Sequence, residues 1–197
     1  MDSGIRITET GTSEVIIKKS RFLGIAANVD SEEEARELLN AIRKEHYSAR
    51  HVCYAYSIGD NNPALKFSDD GEPGGTAGRP ILDVVTNSGV SNIMIIVVRY
   101  FGGVLLGTGG LVRAYTESAQ EAVKAAEKTT VWVTETFDIT LDYGDFERVK
   151  SLIEKKEGAS LEVAYTDKVV ISATVPEKEC DRLKQEIIEV TAGRAAI

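Results

Sequence analysis

Three carboxylates, Asp69, Asp70 and Glu72, fall within the glycine-rich segment SDDGEPGGTAGRP, residues 68–80. Hard oxygen ligands this close together suit Mg²⁺ or Ca²⁺, with a phosphate sharing the cation, although the longer ligand spacing of a calcium hand is missing. The same acids equally suit a structural use, in which Asp69 or Asp70 accepts backbone N–H bonds in an Asx-type turn and pairs with Arg79. A second glycine-rich segment, RYFGGVLLGTGGLVRAY, spans residues 99–115. Its run Gly107, Thr108, Gly109, Gly110 directly precedes an expected helix, so unobstructed backbone amides there suit a phosphate or another anion, and the guanidinium of Arg99 would strengthen such a site. The run is neither a Walker loop nor a completed dinucleotide fingerprint, and tight packing of loop on sheet is the competing explanation. Arg99, Tyr100 and Phe101 stand where an apolar strand ends and together resemble a binding edge. Arg113 and Tyr115, two apart on the following helix, cannot share a face; Tyr115 fits the buried stripe and Arg113 points outward. His51 opens a strand with Cys53 two residues on, hence on the same face, and is a candidate general base or a hydrogen-bonded structural histidine. Neither cysteine nor any serine has an evident base and orienting group, so a nucleophilic triad is unsupported.

These residues need elements to position them. Glu14–Lys18 and Phe22–Val29 read as strands with the turn at Ser20 and Arg21. Ser31 caps a helix whose first turn is Glu32, Glu33 and Glu34 and whose apolar residues Ala35, Leu38, Leu39 and Ile42 recur at helical spacing. His51–Ile58 is the next strand, leading through Gly59, Asp60, Asn61, Asn62 and Pro63 into the first glycine-rich segment. A helix opens at Arg79 or Pro80 and runs to about Asn87. Ile93–Val98 is apolar at every position, the mark of a central strand covered on both faces. A helix from about Gly110 to Glu127 follows, and Lys128–Thr134 closes this part as a strand or linker. From Glu135 the pattern becomes strand 137–141, helix 145–156, strand 161–165, strand 169–175, helix 177–190 and a last short strand near 194–197, which is a ferredoxin-like βαββαβ unit. The expectation is an α+β chain of two domains, 1–134 and 135–197.

Composition narrows the function. The chain has 197 residues, 43% hydrophobic and 27% charged, ordinary values for a soluble protein with one large or two small cores. The N-terminal MDSGIRITETG has no apolar run, and Ile93–Val98 is far too short to span a bilayer, so a cytoplasmic protein with no membrane partner is expected. Cys53 and Cys180 lie in different expected domains, which disfavours a disulfide framework or a zinc site. The net charge of −8 opposes general nucleic-acid binding, so any such contact must use a local patch. Ten of the 17 glycines lie between residues 71 and 110, more than a plain core requires, given what each ordered glycine costs in entropy.

The wording DDGEPGGTAGRPIL, then VVRYFGGVLLGTGGLVRAY, with the upstream ARHVCYAY, closely resembles the IMPACT/YigZ family over about Ser20–Ala126. The resemblance implies that the first domain adopts the fold of the second domain of small-subunit ribosomal protein five. It also implies that the remaining third is similar in layout to domain V of elongation factor G, as in bacterial two-domain members. The function so implied is translation-associated regulation through RNA, the ribosome or a translation factor, with Arg79, Arg99, Tyr100, Gly107–Gly110, Arg113 and His51 as candidate contacts. The alternatives are an enzyme acting on a small phosphorylated compound, with Asp69, Asp70 and Glu72 holding Mg²⁺, and a protein-interaction module.

Overall fold

The computed structural model describes residues 3–59 and 62–197; the expected connection through Asp60 and Asn61 lies outside them. The chain separates near Thr130 into two compact units, 4–130 and 131–197, with Ser3 grouped with the latter, against an expected change of pattern at Glu135. In the first unit β1 (Ser3–Glu9) is followed by the hairpin β2 (Gly11–Ile17) and β3 (Ser20–Asn28). The hairpin turns at Lys18 and Lys19, both at positive φ (46° and 67°), not at Ser20 and Arg21, which already pair within the strands. Helix α1 (Glu32–Glu45) starts as expected. Ser31 Oγ accepts from Glu34 N at 3.2 Å, and Glu34 Oε2 accepts from Asp30 N at 2.8 Å, so two otherwise unpaired donors are satisfied.

Strand β4 (His51–Ile58), edge strand β5 (Ala64–Ser68), helix α2 (Gly78–Asn87), strand β6 (Ile93–Tyr100), helix α3 (Thr108–Ala125) and strand β7 (Glu127–Trp132) complete the unit. β1 pairs with β7, and the main sheet runs β2-β3-β6-β4-β5, antiparallel throughout. β6 is its middle strand, which explains the unbroken apolar run. Ile93, Ile95 and Val97 face the core under α2 and α3, whereas Met94, Ile96 and Val98 face the core under α1. The period of two carries on past the apolar run and puts Arg99 on the α2/α3 side and Tyr100 on the α1 side.

The second unit orders β8 (Thr134–Leu141), α4 (Tyr143–Glu154), β9 (Ser160–Tyr165), β10 (Val169–Pro176) and α5 (Glu177–Val190). Its sheet is β8-β10-β9, and Ala196 makes an antiparallel bridge to Thr140 on the outer side of β8. These are ferredoxin-like elements, although the last strand is reduced to a bridge. Val149, Ile153, Leu183 and Ile187 from the helices close on Ile139, Leu141, Ile171 and Val175 of the sheet, burying one face in the way an amphipathic helix and an alternating strand require.

Candidate functional site

Antiparallel register gathers the start of β3, the end of β6 and the start of β4 at one end of the main sheet. Phe22, Arg99 and His51 stand side by side across the three strands, on the face covered by α2 and α3. Both glycine-rich segments meet this end.

The first segment is a network of carboxylates, each fastening a different element. Asp69 accepts from Gly75 N, Ala77 N and Gly78 N at 2.8–2.9 Å, and so caps α2 from across the loop, where that helix has no side-chain cap of its own. Gly78 is required there, because a Cβ would press on the Ser68 backbone at 2.7 Å. Burial raises the Asp69 pKa, but the three N–H donors outweigh it and hold the carboxyl below the usual aspartate range. A lowered folded-state pKa stabilises above the unfolded value of about 4 and stops doing so as pH falls through the folded value. Asp69→Asn should therefore cost roughly 0.5–2 kcal/mol at pH 7, and urea unfolding at pH 3 should show the gap to the parent closing; an equal gap at both values would contradict this.

Asp70 takes a left-handed conformation (φ 43°). Its carboxylate accepts from Val52 N at 2.7 Å and from Arg43 Nη2 at 2.9 Å, joining β4 to the end of α1. Glu72 turns inward: 9% exposed, it accepts on Oε1 from Arg99 Nη1 at 2.5 Å and from Tyr115 Oη at 2.7 Å. The acids thus point to three separate sets of partners, and the described residues contain no group of three His, Cys, Asp or Glu able to hold a metal. Arg79, expected beside them, pairs with Asp83 one turn along α2 at 2.9 Å.

Arg99 is 5% exposed and spent on Glu72, so it is not presented to the amides of α3. His51 Nδ1 lies 2.8 Å from the Asp70 carbonyl, an acceptor, so Nδ1 is the donor of that bond; Nε2 is 3.9 Å from Glu72 Oε1, beyond hydrogen-bond reach. The Cys53 thiol donates to the Asp69 carbonyl at 3.0 Å and sits 3.4 Å from Tyr115 Oη. Burial pushes it up to about 12, the condition of an inert thiol. Tyr100, on the other face, bonds through its hydroxyl to His46 Nδ1 at 2.9 Å, with Arg21 over its ring.

The second segment leaves β6 as an exposed loop. Gly102 is held against the β2–β3 hairpin: its N–H donates to Ser20 Oγ at 3.2 Å, and a Cβ there would overlap the Lys19 backbone. Val104 and Leu105 are exposed, Leu105 at 82%. Gly107 (φ 73°) precedes α3, whose first turn has no side-chain cap. That turn begins at Thr108, two residues earlier than expected. Gly109 has open space around its Cβ position, and a Cβ on Gly110 would meet only the Leu106 side chain at 3.0 Å. Thr108 and Arg113 are exposed.

Sequence reasoning missed the cations around this loop. Lys18 and Lys19 occupy the hairpin turn, and Arg50 lies over the Phe101 ring at 5.9 Å; none of the three has an acidic partner among the described residues. The consecutive apolar Val15, Ile16 and Ile17 followed by two lysines were the available signal, obscured because a two-residue turn of this kind favours Asn-Gly. No described helix is long and apolar enough to cross a membrane.

Comparison with known proteins matches residues 18–123 to the Impact N-terminal domain and residues 139–194 to a domain of unknown function, DUF1949. IMPACT family member YvyE of Bacillus subtilis is 34% identical over 100% of this chain and 91% of its own length. IMPACT family member YigZ of Escherichia coli is 37% identical over 90% and 88%. A crystal structure of a hypothetical protein, 32% identical, aligns over 100% of this chain and 96% of its own with a TM-score of 0.67.

Proposed function

We propose, from the premise that this chain belongs to the IMPACT family, that it regulates translation by binding RNA, with ribosomal RNA as the natural target, through the hairpin and loop end of its larger unit. The observation that carries this is the lysine pair. Two lysines hold positive φ, a conformation that costs a residue with a Cβ and that glycine or asparagine would take more cheaply. Strain of that kind in an exposed turn, beside a glycine-rich loop and without an acidic partner among the described residues, is what a phosphate-binding edge looks like in an otherwise acidic protein. The uncapped first turn of α3, Gly107–Gly110, adds backbone amides to the same reading. The smaller unit folds separately as an accessory recognition module.

The test is binding of purified ribosomes and of a fluorescent RNA across salt, comparing the parent with Lys18→Glu/Lys19→Glu. The double variant should bind at least tenfold more weakly and lose about one unit of salt slope for each lysine, with an unchanged melting curve. A folded double variant that binds both as the parent does would sink the reading.

A further inference from the structure

Four side chains at the loop end alternate aromatic ring and guanidinium from the core to the surface. Phe22 is fully buried; Arg99, 5% exposed, lies over its ring at 5.4 Å and over the Phe101 ring at 5.6 Å; Phe101 is 42% exposed and carries Arg50 at 5.9 Å. Each inner rung is fixed. Arg99 is anchored by Glu72, and Phe101 is followed by Gly102, pinned to the hairpin. Arg50 is placed by its own backbone, whose N–H donates to the Arg99 carbonyl at 3.3 Å. The outermost guanidinium is exposed and has no hydrogen-bonding or acidic partner among the described residues. A planar cation held in this way, with its rotamer entropy already reduced by the ring beneath it, offers a flat polar face to another π-system.

We infer that Arg50 is a stacking platform for an unpaired nucleobase, so that the RNA recognised is single-stranded at this point. The inference rests on the reading above and goes further, because phosphate contacts from Lys18 and Lys19 would take a duplex equally well, whereas a base can lie on a guanidinium only when it is free of its helix. Lysine keeps the charge of arginine but not its plane, and this separates the two contributions.

The experiment measures fluorescence anisotropy of a 12-nucleotide oligouridine and of a blunt RNA duplex with the same number of phosphates. The parent, Arg50→Lys, Phe101→Leu and Lys18→Gln/Lys19→Gln are compared, each checked by a melting curve. The parent should prefer the single strand. Arg50→Lys should lose about five- to a hundredfold on oligouridine, the range for one stacked base, while keeping its salt slope and its duplex affinity, and Phe101→Leu should lose a similar factor by loosening the rung below. The lysine variant should weaken both RNAs together. Parental affinity of Arg50→Lys or Phe101→Leu for oligouridine, or a parent without single-strand preference, overturns the platform and leaves the lysine edge standing. A parent that binds neither RNA overturns both.

Discussion

Glu72→Ala should destabilise the larger unit by about 3–5 kcal/mol, the cost of leaving one member of a buried ion pair without its partner. The Arg99 guanidinium, 5% exposed, would have no counter-charge, and the Tyr115 hydroxyl would lose the acceptor it reaches at 2.7 Å. A loss of that size lowers Tm by on the order of 10 °C. Glu72→Gln, which keeps an acceptor oxygen, should cost less. The sharper outcome concerns Arg99→Met combined with Glu72→Met: replacing both charges by apolar groups of similar length removes the burial penalty along with the attraction, so the double variant should be more stable than Glu72→Ala. A Glu72→Ala protein melting within about 2 °C of the parent would show that the pair does not hold the loop. Arg99→Ala is correspondingly a test of folding before it is a test of binding, since it leaves Glu72 buried beside His51 and Cys53.

Gly24→Val should be comparably severe, by a steric route. Helix α3 lies so close to β2 and β3 that a Cβ on Gly24 would overlap the Ser118 carbonyl, and one on Gly11 would overlap the Ala122 carbonyl and the Ala126 backbone. Backbone cannot swing aside as a side chain can, so the helix must lift from the sheet, at a cost of about 3 kcal/mol or more, the upper end of overpacking. Gly109→Ala is the control: nothing lies within 4 Å of its Cβ position and its φ is not positive, so the substitution should be neutral or stabilise by up to about 1 kcal/mol through helix propensity. Equal melting temperatures for Gly24→Val and the parent would refute the close-packing account.

Much of the scaffold was legible because it follows from periodicity and end chemistry. Ser31 with Glu34 announced α1, the unbroken Ile93–Val98 announced a strand covered on both faces, and helix 177–190 fell within its expected bounds. What stayed hidden had weak or long-range causes. β5 is an edge strand whose residues are mostly exposed, so no burial alternation marks it. The pairing of Glu72 with Arg99 spans 27 residues, and it takes the pairing of β4 with both β5 and β6 to bring the two together. The binding edge drawn through Arg99 and Tyr100 contradicts a rule that was available: adjacent residues of one strand face opposite ways. In the structure one joins the core under α2 and α3 and the other joins α1. The acids of the first glycine-rich loop were legible either as metal ligands or as acceptors of backbone N–H bonds; in space Asp69 takes the second role, and the three acids fasten α2, β4 and α3.

The position of β6 in the sheet has a consequence during synthesis. β3 and β4 are neighbours of β6 and not of each other, yet both precede it in the chain. Until residues 93–100 leave the ribosome, each has one flank without a partner, and the side chains of Phe22, Val52 and Cys53 have no core to enter. At about 5–20 residues per second this interval lasts seconds, long compared with the microseconds in which a hairpin forms. Isolated two-stranded hairpins are only marginally stable in water, so the β2–β3 and β4–β5 pairs are expected to stay unsettled until β6 emerges and pairs with both β3 and β4. Pausing translation just before Ile93 should leave a protease-sensitive nascent chain, and releasing the pause should convert it in a single step.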